Sequence, residues 1–508
     1  MRRALRQTTR AAVSRPSVIP APSGGWNARD ELDAMHPLDA VELTNFFPTD
    51  GGVVTKKGYA SHATGMTGDV SFLAEFDAGA SRKMIAGSNG EIWDVTSAGA
   101  ASSLASGFSS DKWQHAQFDP AGTALMGLVN GTDAPQTFDG TTVTGMTISG
   151  SGLTPANLDG INVFKSRTYF WDSSTQDFWY SSVNAMGGTL TKFPLGRVSG
   201  FGGNLVAMGT WNVDGGDGVN DMAVFCMSSG DVIVYNGDDP GSSWALVGVY
   251  RIGSPLSVRS VVKLGNDLAI TTSDGYVPLS RVLPKGRVGV ETVSDKIIDE
   301  VLRVTKSYKA NYGWDIIHYP HGKMALFNVP VSTTKFDQHV INTSTGSWAK
   351  FTGWNGISWS LLNDELYFGS TDGVVYKADT GRVDGTADIH AIGQPAWDHL
   401  GARGLQKNAK LARLVGKTDA TSLVYKLEVG TDFVNPSGQP DDVSPAQAGT
   451  LWGAAWGSAW PDESRIIDRW ETVASLGDAF TTRVQVKSST VGFDWYSTAI
   501  VYETGGMI

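Results

Sequence analysis

The chain has 508 residues, enough for about three domains on the usual scale, with 61 glycines, 17 tryptophans and a formal charge of −11. An acidic surface repels nucleic acid unless cations are gathered locally, which excludes generic duplex binding. No apolar run approaches the roughly 18 residues of a membrane span. Abundant glycine and aromatic residues suit many short strands joined by tight turns, so helix is expected to be the minor component.

Residues 1–35 read as a flexible basic arm. Arg2, Arg3, Arg6, Arg10 and Arg15 precede Pro16 without an acid, no apolar segment of an export signal follows, and Ser17 to Gly25 is rich in proline, serine and glycine.

Residues 36–382 carry an internal repeat, which decides the fold class. Two apolar-alternating runs flank a polar or glycine turn, and the second run often bears an aromatic. Clear copies are Lys83 to Trp93, Ala223 to Tyr235, Leu268 to Val277 and Glu365 to Tyr376. With weaker copies near Ala124, Thr168 and Lys323, the starts fall 41 to 55 residues apart. Asn-Gly, Ser-Gly and Asp-Gly pairs supply the positive φ of tight hairpin turns. One hairpin per blade-sized interval predicts an all-β chain with a β-propeller of about seven units, with Trp93, Tyr235 and Tyr376 at equivalent places.

Within the repeat, Asp214-Gly-Gly-Asp217-Gly-Val-Asn220-Asp221 gathers hard oxygen donors on a glycine-bent loop, as calcium prefers. A solvated hairpin loop is the competing reading, because the spacing is irregular and no bidentate glutamate follows. No other cofactor is expected. One of the longer intervals holds Val293 to Leu302, where Ser294 is placed to cap a short helix with Ile297, Ile298, Val301 and Leu302 on one face. Cys226 lies in the apolar run Ala223 to Met227 and reads as a buried thiol. The eight histidines form no metal-binding pair on a helix, and His318 and His321 flank Pro320 in what reads as a surface loop. No catalytic constellation emerges, so the chain is not expected to be an enzyme.

Residues 383–508 read as an additional β domain. Arg403, Lys407, Lys410, Arg413 and Lys417 form a run without an acid, predicted to contact an acidic partner or DNA phosphates; a solvated strand face is the alternative. Trp452, Trp456 and Trp460 alternate with glycines and precede Pro461, which favours an aromatic anchor over a helix.

Several motifs, in order, resemble virion proteins of tailed phages. These are Asp39-Ala40, Asn45-Phe-Phe-Pro48, Val54 and Lys57-Gly-Tyr59; then Asp217 to Asp221, Ser229 to Gly237, Asp239-Pro240, Trp244 and Leu246 to Gly253; then Asn342 to Trp348 and Val501 to Gly506. The likeness runs from about residue 21 to the C-terminus and is to the tail nozzle, or packaged-DNA stabilisation protein, of short-tailed phages. It implies a structural ring, a homohexamer in the virion tail. That ring would sit below the portal and tail adaptor protein, with a tail fibre as a further partner, and would retain packaged double-stranded DNA and conduct it at ejection. A carbohydrate-binding or host-surface-binding propeller is the alternative.

Overall fold

The computed structural model describes residues 14–79, 81–214, 219–265, 267–282, 292–419, 422–436, 444–447, 465–489 and 491–507. The chain is all-β and packs as two compact units. One comprises Gly58–Thr343 with Thr352–Thr380; the other comprises 14–57, Ser344–Phe351 and the chain from Gly381 onward.

The first unit is a β-propeller. Blade 1 holds Phe72–Asp77, Arg82–Ser88, Glu91–Asp94 and Ser102–Ser106; blade 2 runs from Gln114–Phe118 to Val143–Gly145; blade 3 from Gly160–Phe164 to Gly188–Pro194; blade 4 from Leu205–Asp214 to Ala245–Arg251. Blade 5 has three strands, Val261–Leu264, Asp267–Thr272 and Gly275–Pro278. These five are sheets of their own, so the count of free-standing blades is five rather than seven. Two further units complete the circuit as parts of a larger sheet: Asp315–Tyr319 with Met324–Pro330 and Phe336–Asn342, and Ser358–Leu362 with Glu365–Gly369 and Val375–Ala378. We number these blades 6 and 7. The first strand of each blade neighbours that of the next, and Ser358–Leu362 lies against Phe72–Asp77.

Blade 7 takes its outermost strand from earlier in the chain. Tyr59–Thr64 pairs antiparallel with Val375–Ala378, so the ends of the propeller segment share one ladder. All seven repeat starts read from the sequence fall on, or within one residue of, the second strand of a blade, and Trp93, Tyr235 and Tyr376 all lie on third strands. Two turn glycines show why the pattern is strict. Gly230 and Gly373 have φ of +88° and +75°, and a Cβ on either would stand 2.2 Å from a carbonyl oxygen of a neighbouring segment.

Between blades 3 and 4, Phe178 stacks on Phe225 at 4.8 Å and Tyr235 on Trp244 at 4.9 Å. Full burial of Phe178 and Phe225 contributes about 1.5–3 kcal/mol each. Cys226 is buried and its thiol is pushed up to about 12 by desolvation, as expected of an inert core sulfur. After blade 5 a 3-10 turn at Asp295–Ile297 leads into the helix Ile298–Tyr308. Ser294 does not cap it: its hydroxyl accepts from the Tyr276 amide at 3.1 Å, because the segment is tied to blade 5 before the helix begins. The buried face is Ile297, Val301, Val304 and Thr305, whereas Leu302 is exposed.

The second unit has two antiparallel-rich sheets. One joins the long strands Leu405–Thr418, Arg465–Gly477 and Phe493–Met507 to the hairpin Phe46–Thr49/Gly52–Thr55. The other contains Asp39–Thr44, Ala387–Pro395, Phe480–Ser488 and Ser422–Thr431. A flexible arm over 1–35 is not what the described part of that segment forms. Ser14–Pro20 is an edge strand in register with Phe493–Met507 from Ser14 opposite Glu503 to Pro20 opposite Ser497, and Ile19 is buried. Pro16 and Pro20 are tolerated because an edge strand leaves one side of the backbone unpaired.

Asn45 takes the left-handed conformation (φ 56°), and its side-chain amide donates to the His390 carbonyl at 2.8 Å. Lys56 is wholly buried, and its ammonium bonds both oxygens of Asp384 at 2.7 and 2.8 Å. Desolvation outweighs the carboxylate and brings the amine down to about 8. Removing one partner strands the other charge in the interior. Lys56→Met is expected to cost about 3–5 kcal/mol in chemical unfolding, while Lys56→Met with Asp384→Leu recovers most of it; equal losses in both variants would refute the pairing.

Candidate functional site

The channel along the propeller axis holds a cavity of about 610 Å³, lined by the first residues of the inner strands, among them Phe72, Gln114, Gly160, Val261 and Asp315. Arg259, two residues before the inner strand of blade 5, reaches across this mouth. Its Nη2 donates to the Ser71 carbonyl at 2.9 Å and to the Tyr312 hydroxyl, and Tyr312 in turn donates to the same carbonyl at 2.8 Å. Nη1 stands 3.4 Å from the Asp315 carboxylate. One guanidinium therefore ties blade 5 to the connections entering blades 1 and 6. Lys112 Nζ sits 4.6 Å from the Tyr312 ring.

The network is electrostatically tense. Burial pushes Asp315 up to about 6, with Arg259 pulling the other way. His115 meets channel water yet is walled in by protein, and desolvation assisted by the Arg259 charge pushes it down to about 4. Its ring packs edge-on against Phe72 at 5.6 Å.

The structure scatters the residues singled out by sequence. Leu205–Asp214 and Val219–Met227 form the hairpin that bears the acidic loop, with Asp214 opposite Val219 and Asn220 opposite Val213. Asp217 lies outside the described residues. Asp221 stands in the second strand opposite Asn212 rather than in the turn, with its Oδ2 3.7 Å from Lys165 Nζ, which is also 3.8 Å from Asp238. Among the described residues no group of three or more His, Cys, Asp and Glu is arranged to hold a metal ion. His318 belongs to the strand Asp315–Tyr319 rather than to a loop, since pairing with Ala325 continues past it.

The basic run is the strand Leu405–Thr418 with its approach, and it is compensated from distant parts of the chain. Arg403 pairs with Asp33, Lys410 lies 3.7 Å from Glu503, Lys417 sits opposite Asp494, and Arg413 covers the Trp470 ring at 4.7 Å. Lys407 is unavailable to a partner: it is wholly buried and donates to Leu405 O, Asp478 O and Asp478 Oδ1 at 2.8–2.9 Å. Alternation of a half-buried strand turned it inward. Trp452, Trp456 and Trp460 lie outside the described residues.

Sequence reasoning missed Arg259, Tyr312 and Asp315. The repeat signal resides in the second and third strands of each blade, which are regular and apolar, whereas the channel is lined by first strands. Counting one strand back from each hairpin reaches Asp315, whereas Arg259 and Tyr312 lie in the connections just before their strands.

No protein-family model matches the chain, and no curated protein does. Among solved structures, the crystal structure of the computationally designed Ika8 protein is similar over 63% of this chain and 99% of its own, with 11% identity and a TM-score of 0.36. That of Saccharomyces cerevisiae Sqt1 is similar over 67% and 96%, with 12% identity and a TM-score of 0.37.

Lys407→Met is expected to destabilise by about 1–3 kcal/mol, because Asp478 and two carbonyls lose their donor. Lys410→Glu at the exposed neighbour should stay within about 0.5 kcal/mol; urea unfolding compares them, and equal effects would contradict the burial.

The channel network makes a pH prediction with opposing signs. His115 is depressed, so between its unfolded value of 6.5 and about 4 the unfolded chain binds the proton first, and stability falls as pH falls. Asp315 is raised, so between about 6 and 3.8 the native state binds the proton first, and stability rises as pH falls. Asp315→Asn should therefore lose stability more steeply than wild type on acidification through this window, and His115→Gln less steeply. Parallel pH profiles of the denaturation midpoint would refute both assignments.

Proposed function

We propose that the chain is a non-catalytic structural component of a phage tail: a ring of six copies, docked under the tail adaptor, that retains packaged DNA and conducts it at ejection. The observation that carries this reading is the ordered set of resembling motifs, together with where they fall. Asn45 holds a left-handed corner, Tyr59 opens the strand that closes blade 7, Ser229 to Gly237 supplies a turn and the third strand of blade 4, and Val501 to Gly506 lies in the strand paired with Leu405–Thr418. They are framework positions spread over both units rather than clustered at a local site.

The propeller channel is not the DNA path on this reading. A cavity of about 610 Å³ is of small-molecule size, and the Arg259–Ser71 bond crosses its mouth. The conduit is the axis of the subunit ring. An acidic balance of −11 per copy suits it, because each strong cation–phosphate contact adds friction to sliding DNA.

Immunogold labelling should find the protein at the tail vertex, and particles assembled without it should package DNA and then leak it. Full, stable, non-infectious particles lacking the protein would overturn the retention role.

A further inference from the structure

The cavity at the channel mouth has properties the framework does not need. Gln114 and His115 line it, and among the described residues neither side chain has a polar partner beyond the Phe72 ring contact of His115. Arg259 commits three N–H groups to Ser71, Tyr312 and Asp315, which leaves its Nε–H and one Nη1–H without an acceptor among the described residues. Asp315 Oδ1 accepts from the Ile316 amide at 2.9 Å, whereas among the described residues Oδ2 has only the 3.4 Å guanidinium contact. The residues that carry two free donors, an under-used carboxylate oxygen, an amide and an imidazole thus line one space of ligand size.

We propose that this mouth binds a neutral polyhydroxylated small molecule, a sugar or similar polyol, through Arg259, Asp315, His115 and Gln114.

The charge pattern selects that class. Arg259 and Asp315 nearly cancel, so an anion meets the carboxylate and a cation meets the guanidinium, each at a desolvation cost that the opposite partner, already engaged, does not repay. Adjacent hydroxyls satisfy both: each accepts from Arg259 N–H while donating to Asp315 Oδ2, and a further hydroxyl reaches the Gln114 amide or the imidazole, which its surroundings hold neutral. Phe72, Trp113, Ile161 and Trp359 also line the cavity and offer apolar surface to the C–H face of a sugar.

The test is titration calorimetry or saturation-transfer NMR of the full chain with D-glucose, D-galactose and N-acetyl-D-glucosamine, with acetate, phosphate and ethanolamine as charged controls. At least one sugar should bind saturably with a Kd in the millimolar range and weaken about tenfold or more in Gln114→Leu and in Asp315→Asn. Among the described residues the Gln114 side chain makes no hydrogen bond, so its variant decides the matter if Asp315→Asn unfolds. No saturation by any sugar below about 100 mM, binding of a charged control instead, or undiminished sugar binding in Gln114→Leu would overturn the proposal.

Discussion

The ladder between Tyr59–Thr64 and Val375–Ala378 is the constraint on which the propeller depends. A blade cannot bury both faces of its sheet alone; each face is covered by the next blade, as Phe178 of blade 3 is by Phe225 of blade 4. An open row would leave two blade faces wet. Joining strands more than 300 residues apart removes both ends at once, and the loop-closure entropy grows only with the logarithm of that separation. Closure also pairs the edge of Val375–Ala378, which would otherwise template association. The Arg259 bridge adds a second circumferential tie, drawing blade 5 and the entries of blades 1 and 6 toward one carbonyl.

The legible part of this fold was the part with local physics. Hairpins joined by Asn-Gly, Ser-Gly or Asp-Gly announce themselves within a dozen residues, because turn geometry and strand alternation are short-range, and every repeat start marked the second strand of a blade. What sequence does not display is partnership at long range. Ser17 to Gly25 looks like flexible chain by composition, yet Ser14–Pro20 finds its ladder on Phe493–Met507. Ser294 is a residue type that caps helices, but its hydroxyl takes the amide of Tyr276, which belongs to another element.

The same limit governed the charges. Five cations between Arg403 and Lys417 look uncompensated only along the chain; Asp33, Asp478, Asp494 and Glu503 reach them through the fold. A run of like charges demands a partner, and here the chain supplies much of it internally. Lys56 and Asp384 repeat the lesson at greater depth, where an isolated charge is tolerable only because its counter-charge arrives from more than 300 residues away.

Framework groups and functional groups leave different physical marks. Gly230 and Gly373 sit where a Cβ would collide with a carbonyl oxygen, and Asn45 combines a left-handed backbone with a side-chain bond to the His390 carbonyl, so the fold accounts for all three. Among the described residues no side-chain hydrogen bond in the fold accounts for Gln114, His115 or the spare N–H groups of Arg259, all on the wall of one cavity. A half-buried polar group without a protein partner forfeits about 1–3 kcal/mol unless water or a ligand restores the bond. Several such groups around one cavity, beside an ion pair at 3.4 Å, are the arrangement expected where binding rather than folding sets the residue types.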